Sequence, residues 1–229
     1  MSTRVFLIRH GATSLIAEDR FAGDTDVELS DEGRAQARRL GTRLAHESIA
    51  AVYASPKRRT METARLAAGP QRGTIIPEDA LREISHGHWE ELRRAEVAQR
   101  FPDEYACWEQ DPFTFAPMGG ESGLAVTARA LPCLLRIVAA HPDQSVLVVS
   151  HKATIRLLIS SLLGFDPRTY RDRLDQSPAC LNILEFKDVA RARLMLFNDV
   201  SHYADAPSRA PDAPDAQLSS WWDSATKTE

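Results

Sequence analysis

Two stretches of this sequence end alike. "FLIRHG" (6–11) and "VLVVSHK" (146–152) each run through consecutive apolar residues into a histidine, His10 in the first and His151 in the second. Arg9 stands directly before His10. A guanidinium offers forked N–H donors that suit planar oxyanions, and a phosphate needs several donors at once. A neutral imidazole is a nucleophile when its free nitrogen faces an electrophile. One arginine and two histidines, brought together, would therefore suit an oxyanion such as phosphate. Read alone, His10 is equally a strand-end histidine satisfied by backbone groups, so the elements that carry these residues must decide.

Both apolar runs read as buried strands, and the first meets Gly11, where a strand stops with its last side chains at the rim of the sheet. In an open α/β sheet that rim is where ligands bind. If the two strands lie centrally and parallel, His10, His151 and Arg9 meet there. The remaining chain alternates. Ser30 with Asp31 and Glu32 offers a capped helix start, and Ala37, Leu40, Gly41 and Leu44 fall on one helical face. "IAAVYAS" (49–55) reads as a strand, 57–68 as a helix ended by Gly69, and "GTIIP" (73–77) as a short strand. A helix is expected over 95–101, then a long functional loop over 102–121, whose prolines and glycines punctuate it. A helix over 124–140, a strand over 145–151, a helix over 153–164 and two closing strands, "CLNILEF" and "ARLMLF", follow. Strand and helix in alternation predict an α/β three-layer sandwich: a mostly parallel central sheet with helices on both faces.

At 229 residues, with 43% hydrophobic and 26% charged residues, the composition is that of an ordinary globular protein with one substantial core. A formal net charge of −4 gives no overall attraction to nucleic acid or to anionic membranes. No run is expected to approach the length that spans a bilayer, and no leader precedes the first strand. Cys107, Cys133 and Cys180 are odd in number and without a CxxC spacing, which suggests neither a zinc site nor a disulfide framework and fits a reduced, cytoplasmic setting. The sequence divides into a catalytic body over 1–203 and a tail over 204–229, rich in Ala, Pro, Asp and Ser, that reads as mostly mobile apart from Trp221 and Trp222.

With these elements in place, six motifs stand in order: "RHGAT", "RFAGDTDVELSDEGRAQARRLG", "ASPKRRTMETA", "LREISHGHWEEL", "GGES" and "VLVVSH". Together they resemble the histidine phosphatase superfamily, the branch that also holds cofactor-dependent phosphoglycerate mutases, from about Arg4 to Tyr203. The resemblance implies His10 as nucleophile, its other ring nitrogen donating to a backbone carbonyl. It implies Arg9, Arg59 and His151 around the phosphoryl oxygens, stabilising charge in the transition state. It implies Glu83 as the acid that protonates the leaving alcohol and then takes a proton from water. Thr13, Arg20, Gly23 and Lys152 are expected to contact substrate. No cofactor and no metal is implied, because the arginines supply the compensating charge.

Competing readings stand beside these. Arg59 sits among Lys57, Arg58 and Arg65 and could belong to a solvated basic face; Glu90 and Glu91 compete with Glu83 for the acid role; His86 and His88 could suggest a metal pair, though two ligands make no site. Trp89 and Trp108 read as packing residues. Two positions depart from the family pattern: Ile16 stands where many members carry a phosphate-contacting asparagine, and Lys152 where relatives often carry glycine, so that it either points away or adds a cation. Phosphoglycerate mutases usually have a Trp-Asn pair where this chain has "SLIAED", and a longer arginine-rich insertion after the acid. The expected function is therefore metal-independent hydrolysis of a small phosphomonoester, such as a sugar phosphate or phosphoglycerate-like metabolite, through phosphohistidine. The alternatives are mutase-type phosphoryl transfer and non-catalytic phosphate binding. The expected partner is a small phosphorylated metabolite, with no nucleic acid and no membrane, and a homodimer is the assembly considered.

Overall fold

The computed structural model describes residues 2–14, 20–69 and 73–204. Ile16 and the tail with Trp221 and Trp222 lie outside them. In chain order the main elements are β1 (Thr3–Arg9), α1 (Asp31–Arg43), β2 (Ile49–Ala54), α2 (Arg58–Ala68), β3 (Ile75–Pro77), α3 (Arg94–Arg100), α4 (Pro102–Gln110), α5 (Gly123–Ala140), β4 (Ser145–Ser150), α6 (Lys152–Leu163), α7 (Tyr170–Arg173), β5 (Leu181–Asp188) and β6 (Arg191–Asp199). The six strands form one sheet in the order β3-β2-β4-β1-β5-β6. The pairs from β3 to β1 are parallel, and β5 is antiparallel to both β1 and β6, so only β5 runs against the rest.

Period-two alternation sorts the strand residues onto two faces. Val5, Leu7, Val146 and Val148 face α5 and α6, which contribute Ala130, Leu134, Ile137, Ile155, Leu158 and Ile159. Phe6, Ile8, Val52, Leu147 and Val149 face α1 and α2, through Leu40, Ala64 and Ala67. Complete burial of such side chains stabilises by about 1.5–3 kcal/mol each, which fixes β1 and β4 at the centre and their C-terminal ends at one rim. The expected three-layer sandwich is the architecture observed.

Two expectations are corrected. Residues 102–121 are not one loop: α4 occupies the first part, with Pro102 at its start, Asp103 and Glu104 in its first turn and Trp108 buried. Proline at the first helical position lacks an N–H that would be unpaired anyway, so here it opens a helix. The second concerns membrane-length runs, since α5 is 18 residues long with mean hydropathy 1.5, enough by length and composition to cross a bilayer. Its apolar stripe is spent inside the fold: Ala130, Leu134 and Ile137 pack on the sheet and Val126 joins Ile84, Leu157 and Tyr170, all four α5 residues wholly or almost wholly buried.

The loop after β1 is held by α1. Ser30 caps that helix as expected, its Oγ accepting from the Gly33 N–H at 3.1 Å, while the Ser30 N–H donates to the Ala12 carbonyl at 2.9 Å. Gly33 permits this approach: a Cβ there would stand 2.2 Å from the Ala12 carbonyl oxygen and 2.7 Å from its nitrogen. Gly33→Ala gains about 1 kcal/mol of helix propensity, but the obstacle is backbone, and overpacking of this kind costs about 1–3 kcal/mol. The expected outcome is a net loss, read as a fall in Tm of roughly 2–4 °C per kcal/mol, together with lower activity as the Gly11–Ala12 segment shifts. A Tm at or above the parent's would show that the loop yields freely.

Candidate active site

Parallel pairing of β1 with β4 sets Arg9 opposite Ser150, and so His10 beside His151. Their rings lie 5.2 Å apart in an edge-on arrangement. The His10 backbone is clamped from both sides, its N–H donating to the Ser150 carbonyl at 3.1 Å and its carbonyl accepting from Ala179 N–H at 3.0 Å. In the ring, Nδ1 lies 2.8 Å from the Gly11 carbonyl oxygen. A carbonyl only accepts, so Nδ1 carries the proton and Nε2 the lone pair. Burial, reinforced by the positive charges of Arg59 and Arg9, holds the His10 pKa well below 6.5 against the opposing pull of the Gly11 bond. His10 is therefore neutral at pH 7.

Two buried guanidiniums flank it. Arg9 donates from Nη1 to the Gln176 carbonyl at 2.5 Å, and its Nε is buried without a hydrogen-bond partner. Arg59 is 1% exposed, so it is no solvated face residue. It donates from Nη1 to the Thr25 carbonyl at 2.6 Å, from Nη2 to the Gly23 carbonyl at 2.9 Å and from Nε to His151 Nδ1 at 3.3 Å. Burial lowers both arginine pKa values, and the charge of Glu83 opposes it in each. Cations in such surroundings are costly unless an anion joins them, which marks an anion site. Because His151 Nδ1 accepts from Arg59, its Nε2 carries the proton and donates to Ser55 Oγ at 2.8 Å. Burial, then the positive charges of Arg59 and Arg9, keep the His151 pKa well below 6.5.

Glu83 lies at the start of α6. Its Oε1 accepts from the N–H groups of Ile84 at 3.0 Å and Thr154 at 3.2 Å, while Oε2 accepts from the Ala153 N–H at 3.2 Å; Thr154 Oγ1, 3.2 Å from Oε1, donates its one proton to the Arg82 carbonyl at 2.7 Å. The carboxylate thus occupies the positive end of the helix that begins directly after His151. Oε2 is the less engaged oxygen. Its competitor Glu90 has a different occupation, accepting from Asp24 N–H, Ser85 Oγ and His86 N–H at Oε1 and from Thr25 Oγ1 at Oε2. Glu90 ties the loop that holds Arg59 to the segment after Glu83. Gly23, at φ +45°, leaves room for it, since a Cβ would stand 2.3 Å from Glu90 Oε1.

The other expected contacts are dispersed. Thr13 is buried at 3% exposure in the loop after His10. Arg20 turns to the Glu91 carbonyl at 2.7 Å and lies 3.9 Å from Glu96, while Gly23 reaches the site only through its carbonyl on Arg59. Lys152 Nζ is 3.6 Å from Asp175 Oδ1. His88 Nδ1 donates to the Met118 carbonyl at 3.0 Å, and His86 packs on Phe21 with ring centroids 4.7 Å apart. Among the described residues no group of three His, Cys, Asp or Glu side chains could hold a metal ion. Trp89 and Trp108 are core residues of a satellite aromatic cluster with Phe21. Sequence reasoning did not single out Ser55, Thr154 or Gln176, and it weighed Glu90 only as an alternative acid. Ser55 and Glu90 lay inside quoted motifs, but their roles are contacts made across the fold.

A family model described as histidine phosphatase superfamily (branch 1) matches residues 5–200. Phosphoserine phosphatase 1 of Hydrogenobacter thermophilus is 33% identical over 163 residues, 71% of this chain and 77% of that protein. Glucosyl-3-phosphoglycerate phosphatase of Mycobacterium tuberculosis is 33% identical over 169 residues, covering 70% and 75% respectively. The structure of Bacillus stearothermophilus YhfR superposes with a TM-score of 0.82 at 32% identity, over 87% of this chain and 98% of that one. Taken with the paired histidines and the two buried arginines at the sheet rim, these matches place the chain in the histidine phosphatase superfamily (branch 1), as a hydrolase of phosphomonoesters.

Proposed function

We propose that this enzyme hydrolyses a small phosphorylated metabolite, such as a sugar phosphate or a phosphoglycerate-like ester, in two steps through a phosphohistidine on His10. The observation that carries the reading is the state of His10: neutral, with its proton fixed on Nδ1 by Gly11, its Nε2 lone pair available, and two desolvated guanidiniums beside it. In the first step Nε2 forms a bond to phosphorus as the bond to the alcohol oxygen breaks, and Glu83 gives that oxygen its proton. In the second, water attacks the phosphoryl group and gives a proton to Glu83; the N–P bond breaks, releasing inorganic phosphate and neutral His10. Arg9 and Arg59 hold the equatorial oxygens, where charge develops. His151 adds a donor once its ring exchanges Ser55 for phosphate. The arginines supply the positive charge that a metal otherwise would, so no metal is assigned a step. The two named relatives act on phosphoserine and on glucosyl-3-phosphoglycerate, which supports a small soluble ester over a macromolecule.

His10→Ala is expected to abolish turnover, and brief reaction of the parent enzyme, quenched in base, to leave acid-labile phosphate on His10. Label on a serine or aspartate would overturn the mechanism. The acid is tested separately. An alkyl phosphate expels a poor leaving group that needs a proton, whereas a nitrophenolate does not. Glu83→Gln should slow alkyl phosphate hydrolysis about 10²- to 10⁴-fold, yet spare phosphorylation by p-nitrophenyl phosphate, giving a burst followed by slow turnover. Equal losses with no burst would remove Glu83 from the acid role.

Neutrality of the two rings also sets a stability profile. Unfolded histidines take protons near the ordinary value of 6.5, whereas folded His10 and His151 refuse them until far lower pH. Below 6.5 the unfolded chain therefore binds more protons, and stability falls with pH by up to about 1.4 kcal/mol per pH unit for each ring. Urea unfolding at pH 7.0 and pH 5.5, roughly one unit below the ordinary histidine value, is expected to show this loss, and His10→Asn to remove part of it. A parent enzyme equally stable at both would contradict the buried neutral rings.

A further inference from the structure

A second group of cations adjoins the phosphate pocket, at the end of the rim away from Arg59. Along the sheet order the rim carries Arg59 after β2, His151 after β4, His10 after β1, and then the segment leading into antiparallel β5. That segment is locked in place: the Gln176 side chain exchanges hydrogen bonds of 2.9 and 2.8 Å with buried Asn182 on β5, and its carbonyl receives Arg9 Nη1. One residue earlier is Asp175. Its Oδ1 lies 3.6 Å from Lys152 Nζ and 3.1 Å from Arg156 Nη2, one helical turn further along α6.

The charges here do not balance. Lys152, Arg156 and Arg9 act on one another against two carboxylates: Glu83, already held by the N–H groups at the start of α6, and Asp175, whose side chain is 66% exposed, so water competes for it. Arg156 is 8% exposed and its Nε is buried without a hydrogen-bond partner, as is the Nε of Arg9. Lys152 keeps its side chain one-third exposed, open to an arriving ligand. Burial, with Arg156 and Arg9 beside it and only Asp175 opposing, presses the Lys152 amine down to about 7, the condition of a cation short of an anion.

We propose that Lys152 and Arg156 form a second anion subsite on the β5 side of the phosphate pocket, taking a carboxylate carried by the phosphorylated alcohol. The substrate class is then the phosphate ester of a hydroxy acid. This rests on the hydrolase reading above and specifies its leaving group. A carboxylate suits the subsite better than a second phosphate because Lys152 Nζ and Arg156 Nη2 already converge on one carboxylate oxygen, that of Asp175. Asp175 would yield its place by turning into solvent, where most of it already lies.

The probes are 3-phosphoglycerate and glycerol 3-phosphate, which differ only in a carboxylate against a hydroxymethyl group. Calorimetry on the full chain carrying His10→Ala measures binding without turnover, so the result stands whether or not the phosphohistidine mechanism does. The expected discrimination is tenfold or more in favour of 3-phosphoglycerate, about 1.4 kcal/mol. Adding Lys152→Met, which keeps the aliphatic stem, should bring the ratio of the two dissociation constants to within about threefold, and Lys152→Arg should restore it. A purely structural lysine would alter both ligands alike and leave the ratio unmoved. An unmoved ratio, or no discrimination before substitution, overturns the subsite; absence of phosphohistidine in the parent enzyme overturns the hydrolytic mechanism instead.

Discussion

Two guanidiniums buried beside two imidazoles create the demand that the surrounding structure answers. Arg9 and Arg59 have left water, yet most of the donors they use go to carbonyls, of Gln176, Thr25 and Gly23, rather than to carboxylates. Carbonyl dipoles fix where each fork points without cancelling its charge. The imidazoles respond by staying neutral, because a third or fourth positive charge in the same low-dielectric space would be far costlier than a proton left in solvent. The burial and repulsion that make His10 a poor base leave its lone pair unconsumed by a proton, the state a nucleophilic imidazole requires. Function and destabilisation have one cause here, and the apolar layers on both faces of the sheet offset it.

The two glutamates that compete for the acid role divide their work by what their oxygens already hold. Glu90 has both oxygens engaged, with Asp24, Ser85, His86 and Thr25, and is a strut between loops. Glu83 rests on the N–H groups at the start of α6 and leaves Oε2 with a single partner. The helix thereby serves three positions at once: His151 stands at its entrance, Glu83 at its unpaired donors, and Lys152 in its first turn. A one-residue shift of that helix start would disturb all of them, which is why the buried Ser150 and Thr154, donating to the carbonyls of Leu81 and Arg82, matter as anchors of the Glu83 segment.

Much of this was legible in the sequence because it rests on local signals. Apolar runs ending at His10 and His151 announced central strands, Ser30 announced a cap, and alternation announced the layers. Arg59 and Glu83 were legible only through the ordered motifs, since one arginine among several and one acid among 32 carry no mark of burial. What escaped depends on contacts between distant segments. Ser55 matters because β2 lies beside β4, and Gln176 because β5 turns back along β1. Pro102 was misread for a different reason: proline is disfavoured in the middle of a helix but favoured at its start, and the following Asp103 and Glu104 are the signal of a start.

The division between legible and illegible follows the division of labour in the site. Phosphoryl chemistry asks for a fixed set of groups at fixed separations, so it is mounted at the ends of paired strands, where register alone sets the spacing, and it leaves a pattern in the sequence. Selection of the alcohol asks only for complementary charge and shape, which a helix turn, a loop or the segment before a strand can supply. Lys152, adjacent in sequence to His151 but directed toward Asp175 on another segment, lies at the boundary between these two regimes. Its neighbour's role is dictated by β4, and its own by a carboxylate 23 positions away, from Lys152 to Asp175. Under the proposed subsite, a substitution there retunes which ester is accepted while the groups borne on β1 and β4 keep their places, because strand register and not Lys152 positions them.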